Sequence, residues 1–204
     1  MIDVQIEAKL VAKKFNKEWI FRDLNFSLNT GNAYAIIGKN GSGKSTLLQC
    51  IAGNMPLTKG EIVTRINGKV ETETWKQIAI SAPYLELIEE FTLTEFLRFH
   101  HQFKPFKNEL KVEEVIEKSK LSDARNKLLK NFSSGMKQRV KLALCLFSQN
   151  PILFFDEPTT NLDKVGFDWY QENILTETSQ KLVIICSNQP DEYHFTKNLI
   201  QIDS

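Results

Sequence analysis

The feature that most constrains this chain is the segment GKNGSGKS at residues 38–45, which follows the short apolar run NAYAII. It has the spacing G-x-x-x-x-G-K-[ST], and residues 44–52 have the composition of a helix that Gly53 would end. Glycines there allow successive backbone N–H groups to point into the loop, and the N-terminus of a helix adds partial positive charge. A strand, this loop and a helix in that order predict a phosphate-binding loop in an α/β fold.

The residues of this loop have distinct predicted roles. Lys44 is expected to reach the β- and γ-phosphates of a nucleotide, the Ser45 hydroxyl to bind Mg²⁺, and Thr46 to donate to the α-phosphate. The alternative interpretation is a glycine-rich turn that arose by chance. The predicted strand before the loop and the predicted helix after it disfavour this alternative. The predicted nucleotide-binding residues are Gly38, Lys39, Asn40, Gly41, Ser42, Gly43, Lys44, Ser45 and Thr46.

A second motif is the apolar run ILFF at residues 152–155, which ends in Asp156 and Glu157. Ligands of open α/β sheets bind at the carboxyl ends of the strands, where these two acids would lie. Asp156 can then hold Mg²⁺, and Glu157 can polarise a water molecule for attack on the γ-phosphate. By itself the motif is equally compatible with a turn before Pro158, and the phosphate-binding loop favours the catalytic interpretation.

A third motif is the segment FSSGMKQR at residues 132–139, which precedes an amphipathic stretch. A serine in this position is typical of a helix start, and a glycine beside it permits the close approach of another backbone. From the spacing alone, a plain helix N-cap is the simpler interpretation.

Composition excludes several classes of protein. The chain has 204 residues, of which 42% are hydrophobic and 25% charged, as in ordinary globular domains. Its 26 basic and 25 acidic side chains leave a net charge of +1, so no overall positive field favours a nucleic acid partner. The longest apolar runs have about five or six residues, whereas a membrane-spanning helix needs about 20. The N-terminus lacks the pattern of a signal peptide, and we therefore expect a cytoplasmic protein.

The cysteine and histidine residues predict neither disulfides nor a metal site built from protein ligands alone. The cysteines lie in apolar segments without a C-x-x-C pair, which is typical of buried thiols in a reducing compartment. The histidines have no metal-ligand spacing to cysteine or acidic residues. These residues are Cys50, Cys145, Cys186, His100, His101 and His194.

Hydrophobic periodicity divides the chain into a core and an insertion. The dipeptide Asn67-Gly68 predicts a β-hairpin in the N-terminal part. Apolar residues at helical spacing fill residues 83–147, and short continuous apolar runs beyond them are typical of parallel strands covered on both faces. The pattern predicts an α/β core of residues 1–82 and 148–204, with a helical subdomain of residues 83–147 inserted in it.

The segments GKNGSGKST, FSSGMKQR and FFDEPTTNLD, in this order and spacing, resemble the ATPase subunits of ATP-binding cassette (ABC) transporters over nearly the whole chain. The resemblance implies a single ABC ATPase domain over residues 1–204, with a P-loop NTPase core containing a parallel sheet. An N-terminal antiparallel β subdomain and an inserted α-helical subdomain with the signature motif complete the implied fold. ATP and Mg²⁺ are the implied cofactors, and ATP hydrolysis is the implied activity.

The resemblance assigns roles to individual residues. Asp156 and Glu157 match the magnesium-binding and catalytic acids of the family, and Asp163 lies in the match to its D-loop, TNLD. Phe15, about 23 residues before the phosphate-binding loop, lies where the family has an aromatic residue that stacks on adenine. A core aromatic is the alternative interpretation of Phe15.

The residues Ser133, Ser134 and Gly135 match the signature motif of the family, usually written LSGGQ. This chain has Ser134 in place of the first Gly of that motif and Met136 in place of its Gln. In the family, the nucleotide lies between the phosphate-binding loop of one copy and the signature of the other. The resemblance therefore implies a second ATPase copy as partner, in a homodimer or a heterodimer, with these serines and this glycine contacting nucleotide across the interface.

Two positions depart from the family. The stretch ISAPY at residues 80–84 has no Gln where the family has one that binds Mg²⁺ and relays movement to the membrane subunit. Asn188 replaces a histidine that bonds the γ-phosphate; it can still hydrogen-bond a phosphate but cannot become a cation. The predicted catalytic residues are thus Glu157, Lys44 and Asn188. The departures leave open an alternative function, a nucleotide-gated dimerisation module with little or no hydrolysis.

The resemblance also implies an integral membrane permease subunit as partner, which would make the ATPase a peripheral protein on the inner face of the cell membrane. Large apolar side chains are dense in residues 84–106, and most should form the core of the helical subdomain. We expect a few of them, around residues 84–91, to form an exposed apolar groove for the permease. A cassette ATPase acting on ribosomes or DNA is disfavoured, because such relatives usually carry two cassettes or long coiled-coil insertions.

Overall fold

The computed structural model describes residues 1–202 of the chain. This part contains nine β-strands and five α-helices. The strands are β1 (Val4–Phe15), β2 (Glu18–Asn29), β3 (Ala33–Ile37), β4 (Lys59–Ile66), β5 (Lys69–Glu71), β6 (Ile78–Ser81), β7 (Ile152–Asp156), β8 (Leu182–Cys186) and β9 (Leu199–Gln201). The helices are α1 (Lys44–Ile51), α2 (Leu93–Phe103), α3 (Val112–Lys118), α4 (Ser134–Leu146) and α5 (Lys164–Thr178). Short 3₁₀ turns join several of these elements.

Strands β2, β1, β4 and β5 form an antiparallel sheet in that order. Its inner face carries Val4, Ile6 and Leu28, which are fully buried and alternate with more exposed residues. Strands β4 and β5 meet at Asn67-Gly68, where both residues have a positive φ, 50° and 77°. This turn is the hairpin that the dipeptide predicts.

Strands β6, β7, β8, β3 and β9 form a second sheet in that order, and every pairing in it is parallel. Strands β7 and β8 are buried at every position, as expected for strands covered on both faces. The predicted α/β fold, with a parallel core sheet and an N-terminal antiparallel sheet, is confirmed. Because the five strands run in one direction, residues 38–43 after β3 and Glu157 after β7 lie at the same edge.

The helices cover the two faces of the parallel sheet, and each face has its own apolar core. Helix α1 packs on one face, where Leu47 lies in a cluster with Ile36 and Ile184. Helices α2 to α5 form the other core, which includes Phe155 and Val183 of the sheet. Helices α2, α3 and α4 lie within the stretch predicted to be helical. Nowhere in residues 1–202 is a helix both long enough and apolar enough to cross a membrane.

Helix α5 lies outside the elements that the sequence predicts. Its N-cap is Asp163, whose side chain accepts a hydrogen bond from the Gly166 N–H at 2.7 Å. Large buried side chains occur only at Trp169, Tyr170 and Ile174, which leaves most of its fifteen residues polar or exposed. So sparse an apolar stripe produces only a weak helical period.

A buried ion cluster joins the helical region to the core. Glu177, near the end of α5, pairs with Lys181 at 3.0 Å and with Lys107 from the helical region. Lys181 also donates to the Ser148 carbonyl at 2.5 Å. Removing one charge would leave another buried without its partner, so the cluster favours a fixed attachment of the helical region to the sheet.

An apolar groove lies between β6, the loop after it, α2 and α4. It has a volume of about 330 Å³, and Phe99 and Phe103 beside it are 41% and 71% exposed. The predicted groove around residues 84–91 is thus present through Leu85 and Leu87, but it extends further along α2 than predicted. We call it the α2 groove; its apolar lining includes Ile80, Leu85, Leu87, Phe96, Phe99 and Phe103, and its polar lining includes Glu86, His100, Lys104 and Lys141.

His100 in this groove predicts a loss of stability in acid. Burial lowers the pKa of His100 to about 4, and the positive charges of Lys104 and His101 add to the effect. Because the ordinary pKa is 6.5, the unfolded chain takes up the proton first. The contribution to stability is therefore present above pH 6.5 and is lost as the pH falls toward 4. We expect a loss of roughly 3 kcal/mol in the free energy of unfolding over this window.

Urea unfolding of wild type and His100→Gln at several pH values between these limits measures the effect. The variant, which cannot be protonated at this position, should lose less stability than wild type as the pH falls. The matched control is His194→Gln, which changes an exposed histidine and should follow the wild-type curve. Parallel curves for wild type and His100→Gln would contradict the prediction.

Candidate nucleotide-binding site

The loop of residues 38–43 joins the end of β3 to the start of α1 at the carboxyl edge of the parallel sheet. Gly43 is the N-cap of α1 and has φ of 101°, a conformation that favours glycine. A Cβ atom at this position would lie 2.1 Å from the Ile20 Cγ2 atom of β2. Only glycine therefore lets the antiparallel sheet pack this closely against the loop. The first backbone N–H groups of α1 have no partner within the helix and remain available to an anion.

Lys44 lies folded over the loop. Its Nζ atom donates to the Gly38 carbonyl at 2.9 Å and to the Lys39 carbonyl at 3.1 Å, and the residue is 5% exposed. The ammonium group is thus held against the loop by two carbonyl oxygens. Because these contacts are to neutral carbonyls, a phosphate oxygen would be a stronger acceptor for the same group.

Ser45 and Asp156 lie together although they are far apart in the sequence. Burial raises the pKa of Asp156 above its ordinary value, a hydrogen bond from the Ser45 side chain lowers it, and the neighbouring charge of Glu157 raises it again. A hydroxyl and a carboxylate are the hard oxygen ligands that Mg²⁺ prefers. The two predicted metal ligands therefore fit the ion by their chemistry and by their contact with each other.

Glu157 faces the loop across a cleft of about 220 Å³, which we call the phosphate cleft. Its backbone has φ of 46°, which is unusual for a residue other than glycine, and its N–H donates to the Cys186 carbonyl of β8 at 2.9 Å. Such a backbone conformation costs energy and occurs most often at functional sites. The residues that line the cleft are Asn40, Gly41, Gly43, Lys44, Ser45, Thr46 and Glu157.

Asn188 lies at the rim of the cleft, in the loop after β8. Its side-chain amide donates to the Asn40 Oδ1 atom of the phosphate-binding loop at 2.9 Å. The structure therefore brings this predicted catalytic residue to the loop, where it is engaged with a protein group.

Phe15 lies at the end of β1 and is 45% exposed. The Lys13 ammonium lies 4.9 Å from the centre of its ring and donates to the Pro56 carbonyl at 2.7 Å. One face of the ring is thus supported by a fixed cation. Phe15 is not among the residues that line the phosphate cleft.

The signature segment also lies outside the phosphate cleft of its own chain. Ser133 is the N-cap of α4 and accepts a hydrogen bond from the Met136 N–H at 3.2 Å, which confirms the predicted serine-capped helix start. A Cβ atom on Gly135 would lie 2.7 Å from the Asn161 carbonyl oxygen. The start of α4, with Ser133, Ser134 and Gly135, therefore packs directly on the loop that precedes Asp163.

Two side chains of α4 strengthen this contact. Gln138 donates to the Pro158 carbonyl at 2.8 Å, and Arg139 lies 3.3 Å from Asp163. The carboxylate of Asp163 is largely exposed, so this ion pair contributes little to stability. Together these contacts connect the signature segment to the strand end that carries the two acids.

Glu192 is a buried acid that neither the motifs nor the periodicity single out. Its Oε1 atom accepts from the Thr159 N–H at 2.8 Å and from the Thr159 hydroxyl, while Oε2 has no hydrogen-bond partner among the described residues. The Tyr170 hydroxyl donates to its backbone carbonyl at 3.2 Å. Glu192 therefore joins the segment after Asn188 to the turn after Glu157. No sequence signal marks Glu192, because its role comes from contact with a residue 33 positions away.

Comparison with known protein sequences identifies relatives. The sequence profile described as ABC transporter matches residues 21–160. The uncharacterized ABC transporter ATP-binding protein YhcH of Bacillus subtilis is 30% identical over 206 aligned residues, which cover 97% of this chain and 66% of YhcH. The lantibiotic transport ATP-binding protein SrtF of Streptococcus pyogenes is 30% identical over 181 residues, which cover 86% of this chain and 76% of SrtF. The chain thus spans about two thirds of the length of YhcH.

Solved structures show the same fold. A putative ABC transporter ATP-binding protein from Pyrococcus furiosus superposes with a TM-score of 0.81 at 21% identity, covering 97% of each chain. An ATP-binding subunit of an ABC transporter has a TM-score of 0.81 at 24% identity and covers 97% of this chain and 85% of the other. At these identities the likeness concerns the fold alone.

The profile covers more than half of the chain and includes the phosphate-binding loop, the signature segment and both acids at the end of β7. The similarity to YhcH and SrtF covers more of the chain than the profile does, and the solved structures have the same fold as this chain. This chain belongs to the ABC transporter family, as an ATP-binding protein.

Proposed function

We propose that the protein binds ATP with Mg²⁺ in the phosphate cleft, at the interface of two ATPase subunits, and hydrolyses it to drive transport through an integral membrane permease subunit. The observation that carries this proposal is the convergence of Lys44 and Ser45 with Asp156 and Glu157 at one edge of the parallel sheet. YhcH and SrtF are described as ATP-binding proteins of transporters, which supports the same function.

In the proposed reaction, Lys44 turns from the loop carbonyls to the β- and γ-phosphates, and the backbone N–H groups of the loop hold the remaining oxygens. Glu157 orients a water molecule and accepts its proton as the water oxygen bonds to the γ-phosphorus. The bond from that phosphorus to the bridging oxygen breaks, and ADP and phosphate are the products. Asn188, which bonds to Asn40 of the loop, would donate a hydrogen bond to the γ-phosphate once it releases Asn40.

Ser45 and Asp156 are the side chains that would hold Mg²⁺. The Ser45 hydroxyl donates to the Asp156 carboxylate, and this contact between two hard oxygen donors supports their assignment as the metal ligands. When bound, the ion supplies positive charge that offsets the charge of the phosphate oxygens.

The position of the signature segment supports a dimer. Ser133, Ser134, Gly135 and Asp163 lie outside the phosphate cleft of their own chain, so a nucleotide there would use them only from a second copy. The N-terminus of α4 carries partial positive charge and suits the γ-phosphate of the partner's ATP. Hydrolysis would remove that phosphate and weaken the interface. The second copy is this chain or a related one.

The α2 groove is the proposed docking surface for the permease. Phe99 and Phe103 are partly exposed there, and an apolar groove of this kind accommodates the apolar face of a helix. Binding to a permease at this groove would hold the protein at the inner face of the cell membrane as a cytoplasmic, peripheral subunit. Transport direction and cargo would then depend on the permease.

A nucleotide-gated dimerisation module is the second candidate. Two features favour it: residues 80–84 lack Gln, and Asn188 is engaged with Asn40 rather than free to contact a γ-phosphate. Such a protein would bind ATP and dimerise but would release little or no phosphate.

Phosphate release by the purified protein distinguishes the two functions. The proposed ATPase should produce heat in a calorimetric titration with MgATP, and it should release phosphate continuously. Binding and ATP-dependent dimerisation in gel filtration, without phosphate release, would favour the dimerisation module. A chain that binds no nucleotide would contradict both.

A further inference from the structure

We propose that Glu192 is a positioning residue for ATP hydrolysis, which holds the turn after Glu157 through Thr159 and thereby keeps the Glu157 carboxylate where it can activate water. The inference rests on the proposed function, because it concerns the same reaction. Glu192 does not line the phosphate cleft, so it would act on the reaction only through other residues.

The first observation is that the Glu192 carboxylate directs its hydrogen bonds to a single residue. Its Oε1 atom accepts from the Thr159 N–H at 2.8 Å and from the Thr159 hydroxyl. The Oε2 atom has no hydrogen-bond partner among residues 1–202, and the residue is fully buried. Hydrogen bonds to a carboxylate are roughly twice as strong as those between neutral groups, and burial excludes competing water. Thr159 is therefore held firmly at two of its atoms.

The second observation is the position of Thr159 within the turn that begins at Glu157. The Thr160 N–H donates to the Glu157 carbonyl at 3.3 Å, so Thr159 lies inside this turn. Glu157 has φ of 46°, a conformation that costs energy and persists only where surrounding contacts hold it. The bonds between Thr159 and Glu192 are contacts of this kind, because they fix a residue of the same turn.

The third observation is that the backbone of Glu192 is itself anchored to α5. Its carbonyl accepts from the Tyr170 hydroxyl at 3.2 Å, and the Asp191 carbonyl accepts from the Gln171 side chain at 2.6 Å. Tyr170 is fully buried, and its ring packs edge to face on Phe155 of β7, with the ring centres 6.0 Å apart. The short segment that carries Glu192 is thus fixed to the core, and the side chain passes this fixed position on to the turn after β7.

The fourth observation is a second contact that holds the same turn from the side of α4. Gln138 donates to the Pro158 carbonyl at 2.8 Å. Loss of the Glu192 side chain would therefore loosen the turn without releasing it altogether. Lys44 and Ser45, which would bind the nucleotide, belong to a different loop and would keep their places. The expected consequence is a slower reaction at unchanged affinity for ATP.

Phosphate release by the purified full chain, measured over a range of MgATP concentrations, tests the inference. Glu192→Ala removes both bonds to Thr159 and should lower kcat by roughly 10- to 100-fold, as expected when a catalytic group is misplaced by about 1 Å. KM should change by less than about twofold, because the residues that line the cleft are intact. Glu192→Gln keeps an oxygen acceptor for Thr159 and should recover most of the lost rate.

Asp191→Asn is the matched control, since it changes an exposed acid next to Glu192 and should turn over as wild type. Thr159→Val keeps the shape of the threonine side chain and loses only the hydroxyl bond. It should lower kcat by about 2- to 10-fold at unchanged KM, as expected for one hydrogen bond. This variant keeps the test valid if thermal unfolding shows that Glu192→Ala folds poorly.

A double variant separates the positioning of Glu157 from a general structural role. In the Glu157→Gln background, Glu192→Ala should cause no further fall in the residual single-turnover rate, because the group that it positions has already been replaced. A further fall of the same size as in the wild-type background would show that Glu192 acts independently of Glu157, and would overturn the inference.

The outcomes separate the inference from the proposed function. A wild-type kcat in both Glu192→Ala and Thr159→Val, or a loss that appears in KM alone, would overturn the positioning role and leave the proposed function standing. Absence of phosphate release by wild type would overturn the proposed function, and the positioning role with it.

Discussion

Glu157→Gln is expected to stop phosphate release while ATP remains bound. The amide has the shape of the carboxylate but cannot accept a proton from water, so turnover should fall by roughly 10²- to 10⁴-fold. Binding should persist, because the variant leaves Lys44, Ser45 and the loop N–H groups in place. The variant should also hold ATP at the proposed dimer interface, since the γ-phosphate is no longer removed.

A coupled phosphate-release assay, run beside an ATP-binding measurement, checks this expectation. The matched control is Glu61→Gln, which makes the same change at an exposed position of β4 and should turn over as wild type. Phosphate release by Glu157→Gln at the wild-type rate would show that another group activates the water. In that case Asn188 and Asp156 would be the remaining side chains to examine at this edge of the sheet.

Lys44→Ala is expected to lose nucleotide binding itself. Lys44 is a nearly buried cation that closes the loop, and hydrogen bonds from a charged donor to phosphate contribute about 1.5–3 kcal/mol each. Removing the ammonium group should therefore weaken MgATP binding by about 100-fold or more. The loop would also lose its bonds to the Gly38 and Lys39 carbonyls, which removes part of its organisation before binding.

Calorimetric titration with MgATP measures the loss, and thermal unfolding shows that the variant is folded. Lys69→Ala, at the exposed β4–β5 hairpin, removes a lysine outside the cleft and should bind as wild type. A Lys44→Ala protein with the wild-type heat of binding would contradict the phosphate-loop assignment on which the proposed function rests.

Local features were predictable because neighbouring residues determine them. The loop of residues 38–46 needs glycines and a helix start within one short segment, and the Asn67-Gly68 turn needs only two residues that accept positive φ. Likewise the Ser133 cap depends on an N–H three residues away. In each case the backbone conformation follows from residues adjacent in sequence.

Helix α5 and the full extent of the α2 groove were beyond prediction for another reason. Helix α5 shows little helical period because only Trp169, Tyr170 and Ile174 provide large buried side chains. The groove joins residues of β6, α2 and α4 that are separated by more than sixty positions, for example Ala79 and Leu144. Its shape depends on how helices pack on the sheet, which periodicity does not report.

The sequence by itself determined the class of ligand, because the glycines of the phosphate-binding loop and Lys44 are contiguous in sequence. The backbone conformation of the loop therefore depends on neighbouring residues. Only the tertiary structure decided which distant side chains share the cleft or border it. Ser45 with Asp156, Asn188 with Asn40 and Thr159 with Glu192 are pairs of this kind. Each pair forms at the edge of the parallel sheet where the carboxyl ends of the strands lie. Which loops are neighbours at this edge depends on the order of the strands in the sheet, and no local segment of the sequence determines that order.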